Sequence, residues 1–482
     1  MDPHAHPHPR RWTALVLIAL AQFMVIMDTS IIGVALPKMQ ADLGFSQANL
    51  SWIFNAYVVA FGGLLLLGGR LSDLLGARCM FSAGWVVLLA GSVLASLAGN
   101  AWLELAGRAV QGVGAALIAP AALTLLITMF MHDPRELPKA LSLYGAAAPA
   151  GGTAGVFLGG VITEWLSWPW IFWLYVPISL GVLAAIPSLM PGSARQRGQV
   201  DVTGAIAVTL GLALAVFGIV RAPQQGWATT DTLIPLTLAV LLLAGFLAIE
   251  AKRRAPLVRL GIFKTPNLGA VNLAQLLLGA AWIPMWFFLN LYVQQVLGYG
   301  AFAGGAALLP MTAAIMILMV AVAPRVMARF GAKTPTAAGL FILAIGLVWL
   351  AQARPNGSFT IDVLGPSLVA AAGMALAFIP SLGTAISSAR PEEGGLASGI
   401  VNTSYQIGSV LGLAAMTAVA AAHGSTRLGN PASLTDGFSA AFVGAAVIAV
   451  IGGVLALLTL RGPHRSSEES NPAALDDTPV TG

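Results

Sequence analysis

Asp28 and Arg108 are charges set deep inside two long apolar runs of this chain, residues 12–36 and 101–130. An aspartate at bilayer depth costs about 2.5–3.5 kcal/mol on insertion scales, so it needs a partner or a wet cavity. Apolar surroundings disfavour the charged form of a carboxyl, which suits a group that has to bind and release protons. An arginine cannot shuttle the proton itself, but its fixed charge favours the carboxylate and so expels the proton. Depth arithmetic brings the two together. At about 1.5 Å per residue, Asp28 lies roughly 13 Å from the end of its run near Pro37, and Arg108 roughly 10 Å from the start of its own at Ala101. Two local alternatives stay open: Asp28 bonded to the hydroxyls of Thr29 or Ser30, and Arg108 paired with Glu104 one helical turn away.

A second charged feature runs from Gly69 to Arg78 and holds Arg70, Asp73 and Gly76 between two apolar runs. It reads as a tight loop. Basic loop residues orient a membrane chain, but acids contribute little to orientation. Asp73 therefore points to a gate, in which loop charges pair with helix ends and hold one conformation closed. Arg70 fits that gate and plain orientation equally well. The same pattern returns 255 residues later as Pro324–Lys333, where Gly331 stands for Gly76, Lys333 for Arg78 and Ala328 for Asp73.

The elements that carry these groups are apolar helices. The chain is 57% hydrophobic and 9% charged, against about 25% charged in soluble domains. A span needs roughly 20 apolar residues. Fourteen candidates fit: 12–36, 47–68, 79–98, 101–130, 138–162, 168–190, 201–221, 232–250, 267–294, 302–324, 334–353, 361–388, 395–422 and 437–460. The predicted fold is an all-α polytopic membrane protein. Its single cysteine, Cys79, excludes an intrachain disulfide and a thiolate metal cluster. The net charge of +5 is a topology signal and no sign of nucleic acid: with the N-terminus inside, cytoplasmic segments hold 19 of the 24 Lys and Arg. That distribution predicts both termini in the cytoplasm. Ala19–Ala21 imitates a cleavage site, but the apolar run continues to Ala35 and reads as an uncleaved first helix. Residues 1–11, with His4, His6 and His8, and residues 461–482 read as disordered cytoplasmic ends.

The Gly69–Arg78 segment resembles the cytoplasmic loop motif between helices 2 and 3 of the major facilitator superfamily, and Arg108, Gln111, Gly112 and Gly114 resemble its fourth-helix motif. The span count is similar to that of the fourteen-helix drug:proton antiporter subfamily. So are Met27–Pro37 in the first helix, Leu291–Gly300 with Ala307–Pro310 at the junction of helices 9 and 10, and Gly395–Gly408 in helix 13. The resemblance covers residues 12 to 460 and implies two parallel six-helix bundles, 12–190 and 267–460, with two extra central helices in 191–266. Three departures stand out. Gly33 replaces a usual asparagine, Tyr405 a common arginine, and Val156 the proline of the fifth-helix antiporter motif, here Gly151, Gly152, Gly155, Gly159 and Gly160.

The resemblance implies proton-coupled efflux of lipophilic or cationic small molecules, such as drugs or antibiotics, across the plasma membrane (the inner membrane of a bacterium) by alternating access. Asp28 would carry the proton, with Arg108 and Glu104 around it. A single deep acid fits one proton per cycle and argues against a divalent-cation site. The substrate cavity is expected at Trp282, Trp286, Phe287 and Asn290 of helix 9, with Asn55, Tyr57 and Tyr144 in the first half and Asn402, Tyr405 and Gln406 in the second. Aromatic faces can bind flat molecules and cations. Trp165, Trp168, Trp170 and Trp173 read as an interfacial belt. No cofactor is expected, since no P-loop or HExxH motif occurs and the proton gradient supplies the energy. The expected partners are lipids, substrate and proton, acting on a monomer. An importer or facilitator on the same fold, or a non-transporting receptor or scaffold, is the alternative.

Overall fold

The computed structural model describes residues 10–131, 136–192, 201–253, 267–388 and 394–461. The ends 1–9 and 462–482 and most of the basic 252–264 connection lie outside the described residues. Fourteen helices are long and apolar enough to cross a membrane. They are α1 Arg11–Leu43, α2 Trp52–Leu75, α3 Ala77–Ser96, α4 Ala101–Phe130, α5 Lys139–Trp165, α6 Trp170–Leu189, α7 Val202–Gln225 and α8 Thr230–Lys252, followed by α9 Leu268–Val296, α10 Ala301–Phe330, α11 Lys333–Leu350, α12 Phe359–Ala385, α13 Gly399–Ala422 and α14 Pro431–Thr459. A helix satisfies its own backbone polar groups, which lipid cannot do. In α4 and α14 an orphan amide of the first turn finds a side chain, Asn100 and Asn430 respectively. An even number of spans brings the start of α1 and the end of α14 to one end of the bundle, the terminal end. The opposite end is distal.

Several boundaries differ from the sequence expectation, three of them near the charged groups. The Gly69–Arg78 stretch is not a loop: α2 runs to Leu75 and α3 starts at Ala77, with Gly76 (φ 95°) as the joint. Arg70, Leu71, Ser72 and Asp73 are compatible with helix once they reach water, so charge alone did not mark its end. Gly331 makes the matching break before α11 with φ 71°. Both positions need a positive φ that costs glycine little. Also, α1 continues through Pro37 to Leu43, where Gly44 takes the left-handed cap. Arg11, placed by sequence in the disordered end, opens α1 and pairs with Glu136 at 2.7 Å.

The repeat is visible in the packing. Gly151, Gly155 and Gly159 of α5 press on the α1 backbone at Phe23, Met27 and Ile31. In the second half, Gly408 and Gly412 of α13 press on α9 at Leu276 and Ala280. Gly84, Gly91, Gly107 and Gly114 likewise close the α3–α4 seam, as Gly339 and Gly373 close α11–α12. Small residues let helices approach where apolar burial gives no drive against lipid. The extra helix α7 packs against α2 and α13, one from each half, and α8 packs on α7. Only 11% of the α8 apolar window is buried inside the protein.

The halves are closed together at the distal end. Gln295 of α9 exchanges hydrogen bonds with Gln40 and Gln47, at 2.9 and 3.1 Å, and Gln294 donates to the Val34 carbonyl at 3.1 Å. Glu164 accepts from the Ala301 amide at 2.9 Å, and Trp165 stacks on Phe302. Toward the terminal end α5 exposes Leu141 and Leu143.

Candidate functional site

The glycine stripe of α5 holds α1 in place, and Gly112 lets α4 approach the α2 backbone at Tyr57. Asp28 and Arg108 meet between them: Arg108 Nη1 stands 2.6 Å from Asp28 Oδ2, with 0% and 1% of the two side chains exposed. Arg108 Nη1 also donates to Gln111 Oε1 at 2.8 Å, and Gln111 Nε2 passes the chain on to Ser92 Oγ of α3 at 2.9 Å. Arg108 Nε donates to the Ile53 carbonyl of α2 at 3.1 Å. The guanidinium lies 4.6 Å from the Tyr57 ring centroid and 5.9 Å from that of Phe172 in α6. The Tyr57 and Tyr175 hydroxyls donate to the Val25 and Met24 carbonyls, fixing α1 just before Asp28. Five helices thus hold one ion pair away from water. Charge-assisted bonds of this kind are about twice as strong as neutral ones, and removing one partner of a buried pair costs about 3–5 kcal/mol.

The arrangement decides between the local alternatives. The Thr29 hydroxyl donates to the Ile26 carbonyl at 2.8 Å. Glu104 is not bonded to Arg108: neither carboxylate oxygen has a hydrogen-bond partner, although the residue is 0% exposed. The guanidinium has turned across to α1 and left its own helix neighbour. A second fully buried acid corrects the expectation of a single deep one.

The other expected residues spread over several places. Tyr57 belongs to the charge cluster and not to a separate cavity. Asn55 is fully buried with neither amide atom bonded. Tyr144 donates to Gln22 Oε1 at 2.9 Å. Trp282, Trp286, Phe287 and Asn290 are all buried. Gly33 explains part of that burial: a Cβ there would stand 3.1 Å from Asn290 Nδ2 and 3.2 Å from Trp286 Nε1. Tyr405 meets Phe378 edge-on, Asn402 is exposed, and Gln406 packs under Gly62 of α2. Asp73 is exposed at the terminal end with Arg70 as the charge acting on it, and Arg78 reaches the Pro187 carbonyl at 3.4 Å. Gly160 faces Ala301 and Phe302 of the other half, while Gly152 lies beside Ser30 of α1. Among the expected belt, Trp165 and Trp170 are exposed, but Trp168 is buried and donates to Asp42 Oδ2 at 2.8 Å.

Sequence reasoning missed Tyr175, Ser92 and the distal glutamines. Paired amides at span ends, Gln40 with Gln47 and Gln294 with Gln295, were the available signal for the last of these. Among the described residues no group of His, Cys, Asp and Glu could hold a metal ion.

The family model of the Major Facilitator Superfamily matches residues 18–413. The chain is similar to the cephamycin export protein of Amycolatopsis lactamdurans, 39% identical over 94% of both chains. It is 31% identical to a puromycin resistance protein of Streptomyces alboniger, over 97% of this chain and 95% of that one. A tetracenomycin C resistance and export protein of Streptomyces glaucescens is 30% identical over 84% of this chain and 75% of its own. Among solved structures, a proton-dependent oligopeptide transporter aligns with TM-score 0.65 at 17% identity, covering 93% of this chain and 98% of that one. The nucleoside transporter NupG, as its D323A mutant, also aligns at 0.65, with 13% identity over 94% and 100%. At these identities the structural likeness concerns the fold.

Proposed function

The chain belongs to the Major Facilitator Superfamily, and from that premise we propose that it exports antibiotic-like lipophilic molecules in exchange for protons. The observation that carries the coupling is the Asp28–Arg108 pair, buried at the centre of the first bundle. The similarity to antibiotic export and resistance proteins along the whole chain supports the direction and the substrate class. The protein is a multi-pass membrane transporter without enzymatic chemistry. We place it in the plasma membrane with the terminal end cytoplasmic, in keeping with the distribution of Lys and Arg.

In this scheme the conformation described here is closed to the outside by the glutamine bonds, the Glu164–Ala301 contact and the Trp165–Phe302 stack. Substrate enters from the cytoplasmic end, between the halves, and meets Tyr144, Asn402, Tyr405 and Gln406. The aromatic face of α9 opens to it when α1 and α9 part at Gly33. A proton reaching Asp28 neutralises it, releases Arg108 and weakens the ties among α1, α2 and α4. Asp73, Arg70 and Arg78, with Gly69 and Gly76 shaping the turn, latch the cytoplasmic side in the opposite conformation. The glycines of α5 and the Gln111–Gly112–Gly114 run supply the tight seams that let each bundle rock as one body. Val156 in place of the motif's proline is the one feature that favours a facilitator instead.

The test uses inside-out vesicles energised to be acid inside, with lumenal pH followed as cephamycin, puromycin or a lipophilic cation is added. Discharge of the gradient by wild type and not by Asp28→Asn is the expected result. Equal substrate flux in both proteins without proton movement would establish the facilitator and end the antiport reading.

A further inference from the structure

Glu104 stands on the same helix as Arg108, one turn toward the distal end, 0% exposed and with neither oxygen bonded. Arg108 has one nitrogen, Nη2, without a partner, and Asp28 has one such oxygen, Oδ1. The charged groups acting on Glu104 are Arg108 on its own helix and Asp28 on α1. The other polar members of the cluster are uncharged: Tyr57 from α2, Ser92 from α3, Tyr175 from α6 and Gln111 from α4 itself.

The charge count matters here. Two carboxylates and one guanidinium sum to −1 in a site closed to water, and an isolated buried carboxylate is unstable by many kcal/mol unless it is paired or neutralised. One proton brings the cluster to zero. Asp28 already holds the guanidinium at 2.6 Å. The proton therefore resides on Glu104, which is left with no cation of its own. Residues four apart on a helix are neighbours, so a turn of the Arg108 side chain toward the distal end carries the guanidinium from Asp28 to Glu104 without moving the backbone.

We propose that Glu104 and Asp28 compete for the single guanidinium of Arg108, so that one proton is held on whichever carboxyl Arg108 has left. In the present conformation the O–H bond is on Glu104 and Asp28 is the anion. In the alternate state Arg108 pairs with Glu104: the Glu104 O–H bond breaks as the Asp28 O–H bond forms, the proton passing from one carboxyl to the other. The net charge of the site is unchanged until Asp28 releases that proton to water and Glu104 takes up the next. Glu104 is a proton-carrying residue of the exchange, which differs from an inert packing acid. This deepens the antiport reading and rests on it for its physiological role, while the shared proton itself is readable without any substrate.

The experiment is infrared difference spectroscopy of the purified full-length protein in lipid, following the carbonyl stretch of protonated carboxyls in H2O and D2O. Wild type is expected to show a deuterium-sensitive carboxyl band that Glu104→Gln removes and Glu104→Asp retains at a shifted frequency. The decisive variant is Asp28→Asn. With Asp28 neutral, Arg108 turns to Glu104, so the Glu104 band disappears although Glu104 is present, and Glu104→Gln on that background changes nothing further. A Glu104 band that persists unaltered in Asp28→Asn overturns the proposal, as does its absence from wild type. A structural role alone would move the folding midpoint and leave the band insensitive to Asp28→Asn. If vesicles instead show transport without proton movement, the antiport reading fails while the spectra still decide on the shared proton.

Discussion

The two halves share a packing plan and differ in what they bury. The offset that aligns the two charged segments puts Ile283 where Asp28 stands and Val363 where Arg108 stands. The first half centres on an ion pair with a second acid beside it. The second half has neutral amides and hydroxyls at its seams: Gln275 Nε2 donates to Ser381 Oγ at 2.7 Å, and Ser404 Oγ to Asn272 Oδ1 at 2.7 Å. Its broad surfaces are aromatic, along Trp282, Trp286 and Phe287. Glycine seams are therefore common to both bundles, whereas an ion pair buried on both sides belongs to the first alone: the second half's Arg354–Asp362 pair sits at the distal start of α12 with Arg354 exposed. Under the proposed exchange, the proton biases the first half while the second half contributes shape.

That contrast can be broken in order of expected effect. Arg108→Ala leaves Asp28 as an unpaired buried charge and should destabilise the detergent-solubilised protein by about 3–5 kcal/mol, read from its denaturation midpoint. Asp28→Asn combined with Arg108→Gln should recover most of that loss while proton exchange stays absent. Equal losses in the single and double variants would show that the pair is not the source. Next come the seams. Gly112→Ala and Gly408→Ala each push a Cβ into a backbone carbonyl, of Tyr57 and of Leu276. Overpacking of this kind costs about 1–3 kcal/mol, and similar losses in the two halves would support a common role. Gln295→Ala removes the amide that joins Gln40 and Gln47 across the halves. At about 1 kcal/mol per hydrogen bond, it should raise the distal-open population several-fold, measured as the change in alkylation that Gln295→Ala causes in a protein already carrying Cys79→Ser and Gln294→Cys. The smallest stability change belongs to Asp73→Asn, within about 0.5 kcal/mol for an exposed residue. Its transport rate should fall all the same, because the latch proposed for Asp73 acts only in the opposite conformation.

The sequence made the fourteen spans legible because lipid imposes a length and a composition on each of them. Asp28 and Arg108 were legible for a related reason: a charge at that depth has few partners, and two similar depths suggest a pair. The joint at Gly76 was hidden by its charged neighbours, since arginine and aspartate end an apolar run without ending a helix. Trp168 looked like its interfacial neighbours, and only the position of Asp42 drew it inward. Glu104 was the least legible. Its spacing from Arg108 is that of a helical ion pair, and whether the pair forms depends on which way one guanidinium turns.

The position of α7 against both α2 and α13 has a consequence for traffic within the bilayer plane. Two bundles side by side leave two lateral doors to the lipid, and this helix stands across one of them, with Thr209 lodged beside Gly63. For a solute dissolved in the membrane, the door that α7 leaves uncovered is the one between α5 and α10, bolted near the distal end by Gly160 and Gly305, with Leu141 and Leu143 of α5 exposed toward the terminal end. The additional helices make the protein one-sided to its lipid, with a blank wall and a doorway.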